Sequence, residues 1–431
     1  MTELANTSTS TLAKEKWSPY QKYIIFLLLI VYTINFIDRQ IIAILSPLIK
    51  TDLNLTDTQL GLLKGISFAL IYGLASFPIA WLADRKNRVT IISLSIAFWS
   101  GMTALCGVTQ NFTQLIIARM GVGVGEAGCS PPAHSLISDY FPKESRATAL
   151  GIYSLGIPFG SLFGFLCGGY IASEFGWRWA FLLVGLPGIL LALIVKLTLK
   201  EPIRGALDEG EISKAKAPPF RQSLAELLKI KSFLILCLSA SLSSFAGFAI
   251  SLWIVDFLVR SHGMSIGEIF TPLALVMGIG GGIGTLTGGY VTDFFARKDK
   301  SAYFFVTATA NMLSVPLYIA AIWAGTPLLC VGLFFFVFML QNSVAGPVYG
   351  LVQNLAPIHL RAFAAALFFF LLSFLGFALG PFYIGVIADI LGTTMGEADG
   401  LRWALTSLAP VWAISSIIMF FSLKTLRREL G

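Results

Sequence analysis

Twelve apolar runs, each roughly 20 to 28 residues long and divided by short polar turns, decide the solvent in which this chain folds. They fall at about 22–49, 58–82, 89–109, 112–137, 146–173, 177–199, 231–259, 267–292, 301–324, 326–354, 361–390 and 401–423. A helix of that length crosses the roughly 30 Å hydrocarbon core, whereas the strands of an outer-membrane barrel are shorter and alternate in polarity. Composition agrees: 56% of the 431 residues are hydrophobic and 12% charged, with a mean hydropathy of +0.79. That leaves too little polar surface to coat a water-soluble globule. The expected fold class is an all-α membrane protein of twelve transmembrane helices.

Basic residues give the orientation, because Lys and Arg flanking short loops stay on the cytoplasmic side. Lys50, Lys64, Arg178, Arg260 and Arg402 fall on or near one side, and Arg39 and Arg119 lie within spans. All other Lys and Arg occupy the tails and the loops after even-numbered spans, which predicts cytoplasmic termini in a cell (inner or plasma) membrane. The net charge of +7 therefore reflects topology and argues for no nucleic-acid partner. The first apolar run is too long for a signal-peptide core and lacks a small-residue cleavage site, so no cleaved leader is expected. Cys106, Cys129, Cys167, Cys237 and Cys330 lie within spans without C-x-x-C spacing or His neighbours, so neither a metal site nor a disulfide framework is expected.

The chain repeats itself. Ala80-x-x-x-Asp84-x-x-x-Arg88 ends the second span and Gly289-x-x-x-Asp293-x-x-x-Arg297 the eighth. Pro142-x-x-x-Arg146-Ala147-x-Ala149 opens the fifth and Pro357-x-x-x-Arg361-Ala362-x-Ala364 the eleventh. Arg178-Trp179-Ala180 opens the sixth and Arg402-Trp403-Ala404 the twelfth. Three pairs in one order, each six spans apart, predict a duplicated six-helix unit. The organisation read from this is a tail (1–19), a first half (20–199), a charged, Pro-containing linker (200–230), a second half (231–424) and a tail (425–431).

Six plus six helices in parallel repeat resemble the major facilitator superfamily. "AWLADRKNR" (80–88) resembles that family's G-x-x-x-D-R-x-G-R signature, with Ala80 and Asn87 in place of both glycines, and "RMGVG" (119–123) its helix 4 pattern R-x-x-x-G. More narrowly, "NFIDRQ" in the first span, "RMGVGVGEAGCSPPAHSLISDYFP" (119–142) and "GWRWAF" (176–181) resemble the spinster-like branch, whose animal members export sphingosine-1-phosphate and related lysolipids. The resemblance implies alternating access, a role in proton transfer for Arg119, and a latch formed by Asp84 and Arg88 that favours the outward-open state.

Charge at the centre of a span costs about 2.5–3.5 kcal/mol on insertion scales, so such residues face the bundle interior and usually work there. Asp38 and Arg39 sit at the middle of the first span, about 100° apart, and cannot simply neutralise one another. Tyr32, Asn35 and Arg39 share a face. Arg119 and Glu126 of the fourth span lie seven residues apart, on one face. A carboxylate carried from water into an occluded space takes up a proton more readily, and an approaching guanidinium reverses this. Asp38 and Glu126 are thus candidate proton sites and Arg119 the residue that sets their affinity, with a static ion-pair network between the first and fourth spans as the alternative. Arg39 is open to substrate head-group contact or to structural pairing.

Glycines recur every fourth residue in the fifth span (Gly156, Gly160, Gly164, Gly168) and the eighth (Gly280, Gly284, Gly288). Such faces let helices approach closely, and a sliding contact between these two spans is expected. The second half offers Trp253, Asn311, Gln341 and Tyr349, so its wall is aromatic where the first is charged. Candidate substrate residues are Tyr32, Asn35, Arg39, Arg119, Trp253, Gln341 and Tyr349. The expectation is a proton-coupled exporter of an amphipathic, lipid-like solute, working as a monomer without a bound cofactor, the proton being the coupling ion. A multidrug or organic-anion antiporter is the alternative. No catalytic cluster and no ATP-binding segment is read from the sequence.

Overall fold

The computed structural model describes residues 17–83, 85–204, 220–357 and 360–430. Among these residues the chain is helical throughout. The first half comprises α1 (Pro19–Leu53), α2 (Asp57–Ala83), α3 (Arg88–Cys106), α4 (Phe112–Glu126 continued by Ser130–Tyr140), α5 (Thr148–Phe175) and α6 (Trp177–Thr198). The second comprises α7 (Lys231–His262), α8 (Ile266–Ala296), α9 (Ala302–Ile322), α10 (Pro327–Leu355), α11 (Phe363–Met395) and α12 (Glu397–Phe421). Twelve helices in two sets of six are the architecture that the apolar runs predict.

Local sequence explains the punctuation. Ser18 caps α1 in a reciprocal box with Gln21, and Thr56 caps α2 with Gln59. The turns into α6 and α12 each hinge on one glycine in the left-handed region, Gly176 (φ 85°) and Gly396 (φ 86°), where a side chain would be strained. α4 is two helices because Pro131 and Pro132 carry no N–H to continue the ladder across Ala127–Cys129. α10 breaks at the equivalent place, between Asn342 and Ala345. The duplication is therefore visible in the irregularities as well as in the helices.

The glycine stripes pack differently from the sequence expectation. A side chain at Gly156, Gly160, Gly164 or Gly168 would meet Tyr32, Phe36, Ile37, Gln40 or Ile41, so this face of α5 lies against α1. The stripe of α8 lies against α10: added Cβ atoms at Gly284 and Gly288 would come within 2.0 Å of Met339 O and 1.9 Å of Ser343 O. Both stripes thus fix helices inside one half. α5 and α8 do meet, but through Gly169 beneath Phe270 and Gly278 beneath Leu162.

The halves join at the end of the bundle remote from the chain termini. There α2 lies against α11, with Gly61 under Pro381 and Phe382, Gly65 under Ala378, and Gly385 under the backbone of Asp57. Towards the termini, the second segments of α4 and α10 and the first segments of α5 and α11 make their packing contacts within their own halves. Among the described residues the halves are sealed together at the far end and parted at the termini end.

The α8–α10 contact gives a direct test. Gly288→Ala forces a methyl into the backbone of Ser343 and is expected to cost about 3 kcal/mol or more, at the upper end of overpacking effects. Gly289→Ala meets nothing within 4 Å and is expected to be neutral. Apparent melting temperatures of the two detergent-solubilised variants check the contrast; equal values would contradict the packing.

Candidate functional site

The charges at mid-membrane converge inside the first half. Arg39 Nε donates to Glu126 Oε2 at 2.7 Å, joining α1 to the end of the first segment of α4, and the Glu126 side chain is fully buried. Hydrocarbon supplies no solvation for a guanidinium, so the rest of Arg39 is surrounded by π-faces. Its Cζ lies 5.0 Å from the Phe36 ring centre, 5.2 Å from Phe68 and 4.8 Å from Tyr72. Its side chain is still 18% exposed, so Arg39, unlike Glu126, is not wholly enclosed.

Arg119 also lies over Phe68, with Cζ 5.5 Å from the ring centre. It donates through Nη1 to the backbone carbonyl of Asp38 at 3.3 Å. Asp38 is fully buried beside Trp99 and Thr103 of α3, and neither carboxylate oxygen has a hydrogen-bond partner among the described residues. Asn35, also fully buried, lies next to Glu126 with both amide atoms unpartnered. Arg119 is near enough to both carboxylates to act on them electrostatically. The structure places these four charged groups together in the first half, where the close partner of Glu126 is Arg39, and Arg119 holds Asp38 by its backbone.

The remaining predicted residues divide. Tyr32 stacks on Tyr153 of α5 with ring centres 4.3 Å apart and meets Phe36 edge-on. Tyr349 packs against Phe368 and Phe369 in the second half and is 43% exposed. Gln341 accepts from Ser243 Oγ at 3.3 Å beside Asn311, a polar cluster tied to α12 by Trp412 Nε1 donating to the Ser243 carbonyl at 3.1 Å. Trp253 does not line the chamber. It is fully buried in the far-end seal, where its Nε1 donates to the Pro381 carbonyl at 2.9 Å.

The predicted latch is also corrected in part. Asp84 lies outside the described residues. Arg88 is committed within its own half: Nε to Glu201 at 2.7 Å, and Nη1 to Asp139 at 2.5 Å and Ser135 at 2.7 Å. Its carboxylate partners come from the end of α4 and the segment after α6, and its burial follows from satisfying them together. The second half has an exposed counterpart in which Arg427 clasps Asp299 and Ser301. Hydrogen bonds from Ser301 hold the Asp299 carboxyl below the usual carboxylate range.

Sequence reasoning missed the far-end ion network. Asp57 receives a forked pair of bonds from Arg260 (2.7 and 2.8 Å) and one contact from Lys50 (2.9 Å). Lys50 also holds Glu397 at 2.8 Å, and Asp389 accepts the backbone N–H groups of Asp57 and Thr58 at 2.9 and 2.7 Å. Deepest of all, Lys64 of α2 is paired with Asp256 of α7. Every one of these residues is ordinary at a helix end. Only their meeting across the halves reveals a seal, and linear spacing carries no signal for it.

A two-fold bundle sealed at one end, with buried carboxylates and guanidiniums facing a chamber between its halves, defines a membrane transporter and not an enzyme. The chain belongs to the Major Facilitator Superfamily, whose family model matches residues 28–381. Within it the likeness is to the spinster-like branch. A bacterial homologue of the human lysosomal transporter spinster, solved in an inward-facing and unoccupied conformation, superposes with a TM-score of 0.88 at 30% identity, covering 96% of this chain and 99% of that one. An MFS-type efflux pump of Mycolicibacterium smegmatis is 29% identical over 94% of this chain and 92% of its own length. The sphingosine-1-phosphate transporter of Mus musculus is 28% identical over 87% of this chain and 71% of its own.

The central pair can be weighed by a double-mutant cycle. Arg39→Met alone leaves Glu126 buried without its cation and is expected to cost about 3–5 kcal/mol; Arg39→Met with Glu126→Leu is expected to cost much less than the two single losses summed. Unfolding in mixed detergent micelles measures both, and strict additivity would mean that the pair is not coupled.

Proposed function

We propose that the protein is a proton-coupled secondary transporter that exports an amphipathic anion of lysolipid or sphingoid type by alternating access. It works as a monomer in the cell membrane with both termini cytoplasmic, so that the parted end faces inward. The observation that carries the reading is the grouping of Asp38, Glu126, Arg39 and Arg119 around Phe68 on one wall of a chamber whose other wall is aromatic. Arg39 and Arg119 suit an anionic head group. The Phe-rich second half suits an alkyl tail. The likeness to an inward-facing spinster homologue supports the assignment of state, and the likeness to a sphingosine-1-phosphate transporter supports the substrate class.

Proton coupling rests on the contrast between the two carboxylates. Glu126 is ion-paired with Arg39, whereas Asp38 has, among the described residues, only the neutral Trp99 and Thr103 side chains as donors beside it and lies one residue from the same guanidinium. A rotation of α1 against α4 that moved Arg39 from one to the other would exchange which of them needs a proton. One proton moving through 100 mV supplies about 2.3 kcal/mol, enough for roughly a fifty-fold gradient.

A second reading, a multidrug or organic-anion antiporter, is favoured by the likeness to an efflux pump. It predicts mutual competition among chemically unrelated solutes, where the first predicts selective competition by lysolipids.

Flux into proteoliposomes under an imposed pH gradient tests the coupling. Asp38→Asn and Glu126→Gln are each expected to abolish the acceleration by the gradient while leaving slow downhill exchange. Undiminished pH dependence in both would remove the proton role from these residues.

A further inference from the structure

Among the described residues, Lys64 is the most deeply buried cation of the seal. Its side chain and that of Asp256 are fully buried. Its Nζ sits 3.8 Å above the Trp253 ring, and Ser46 Oγ donates to Asp256 Oδ2 at 2.6 Å. Arg260 approaches Asp256 Oδ1 only to 3.6 Å, leaving that oxygen without a hydrogen bond. Lys64 belongs to the first half and Asp256 to the second, so any movement that opens the far end must separate them.

What Lys64 retains after separation follows from α2. Four residues further in, past the irregular turn of α2 at Gly65 (φ −116°, ψ −88°), is Phe68, whose ring lies near both Arg39 and Arg119. The first half therefore carries a cationic track from Arg119 and Arg39 past Phe68 to Lys64, with Lys50 beyond it at the end of α1. Asp256 leaves with α7, as do Arg260, Asp389 and Glu397 with the second half. A lysine that loses its carboxylate partner at a dry site requires another anion or water.

We propose that Lys64 is an anion relay: it exchanges the Asp256 carboxylate for the anionic head group of the cargo as the far end opens, and resealing returns it to Asp256. This rests on the transport reading above. Cargo departure and closure compete for one ammonium group, so the far end cannot reseal on Asp256 until the head group has left Lys64.

Decyl phosphate is a suitable probe, with flux measured in proteoliposomes. Far-end opening is read as the distance between spin labels at Thr51→Cys and Thr394→Cys in a chain whose five cysteines are replaced by serine. In the unaltered sequence the short distance should dominate, and decyl phosphate should populate a longer one. Asp256→Asn should populate the longer distance without ligand. Lys64→Gln should remove the response to decyl phosphate and lower its flux about ten-fold or more, as loss of a charge-assisted contact does, and Lys64→Arg should restore both. The exchange Lys64→Asp with Asp256→Lys should reseal the far end yet fail to move decyl phosphate, which separates relay from lock even if a single variant folds poorly. Undiminished flux in Lys64→Gln or in the exchanged pair, or a sealed far end in Asp256→Asn, overturns the relay alone. An unaltered protein that neither binds nor moves decyl phosphate overturns the transport reading and the relay with it.

Discussion

A guanidinium has no neutral form available inside a membrane, and Glu126 gives Arg39 the opposite charge that this imposes. Much else follows from that contact. It fixes the rotation of α1 against α4, and with it the positions of Tyr32, Asn35 and Asp38 on successive turns of α1. It draws Phe36, Phe68 and Tyr72 into a π-lined sleeve around the cation, and Phe68 lies close to Arg119 as well. A buried pair of this kind contributes little net stability compared with an apolar replacement. Its consequence is orientation: the polar face of α1 cannot turn to lipid without stranding two charges.

The fold was legible in the sequence because a bilayer permits few answers. Backbone groups must be satisfied within each segment, so twelve apolar runs read directly as twelve helices. The three repeated motifs related the halves. The fine structure was less legible. The breaks in α4 and α10 each have prolines to account for them, Pro131 and Pro132 in one and Pro347 in the other, but a proline in a span does not say where the helix will part: α1 and α6 run unbroken through Pro47 and Pro187. The glycine stripes were recognised as smooth faces, yet spacing alone says nothing about the neighbour. Gly160 and Gly288 turned out to serve α1 and α10 because those helices present Phe36 and the Ser343 backbone at the right height.

The site divides along the same line. Asp38, Arg39, Arg119 and Glu126 were recoverable because a charge deep in a span is anomalous on a single line of text. Their pairing was not, since it depends on rotation and tilt. Lys64, Asp57, Asp256 and Arg260 were invisible for the opposite reason: near a span terminus, charge is the ordinary condition. Trp253 misled because an aromatic in the second half suits a tail-binding wall as readily as a plug, and its burial under Lys64 is a property of the assembled halves.

The interruption of α4 has a mechanical meaning. Glu126 ends one rigid segment and Ser130 begins the next, with prolines removing the hydrogen bonds that would weld them. The segment bearing Arg119 and Glu126 is anchored among α1, α2 and α3, while Ser130–Tyr140 hangs free of the opposite half. A joint placed there, and echoed after Asn342 in α10, leaves the outer limb of each helix without a continuous hydrogen-bond ladder to the inner one. In the proposed cycle the outer limbs bend at that missing turn, while the shift of α1 against α4 acts on the inner segment that carries the charges.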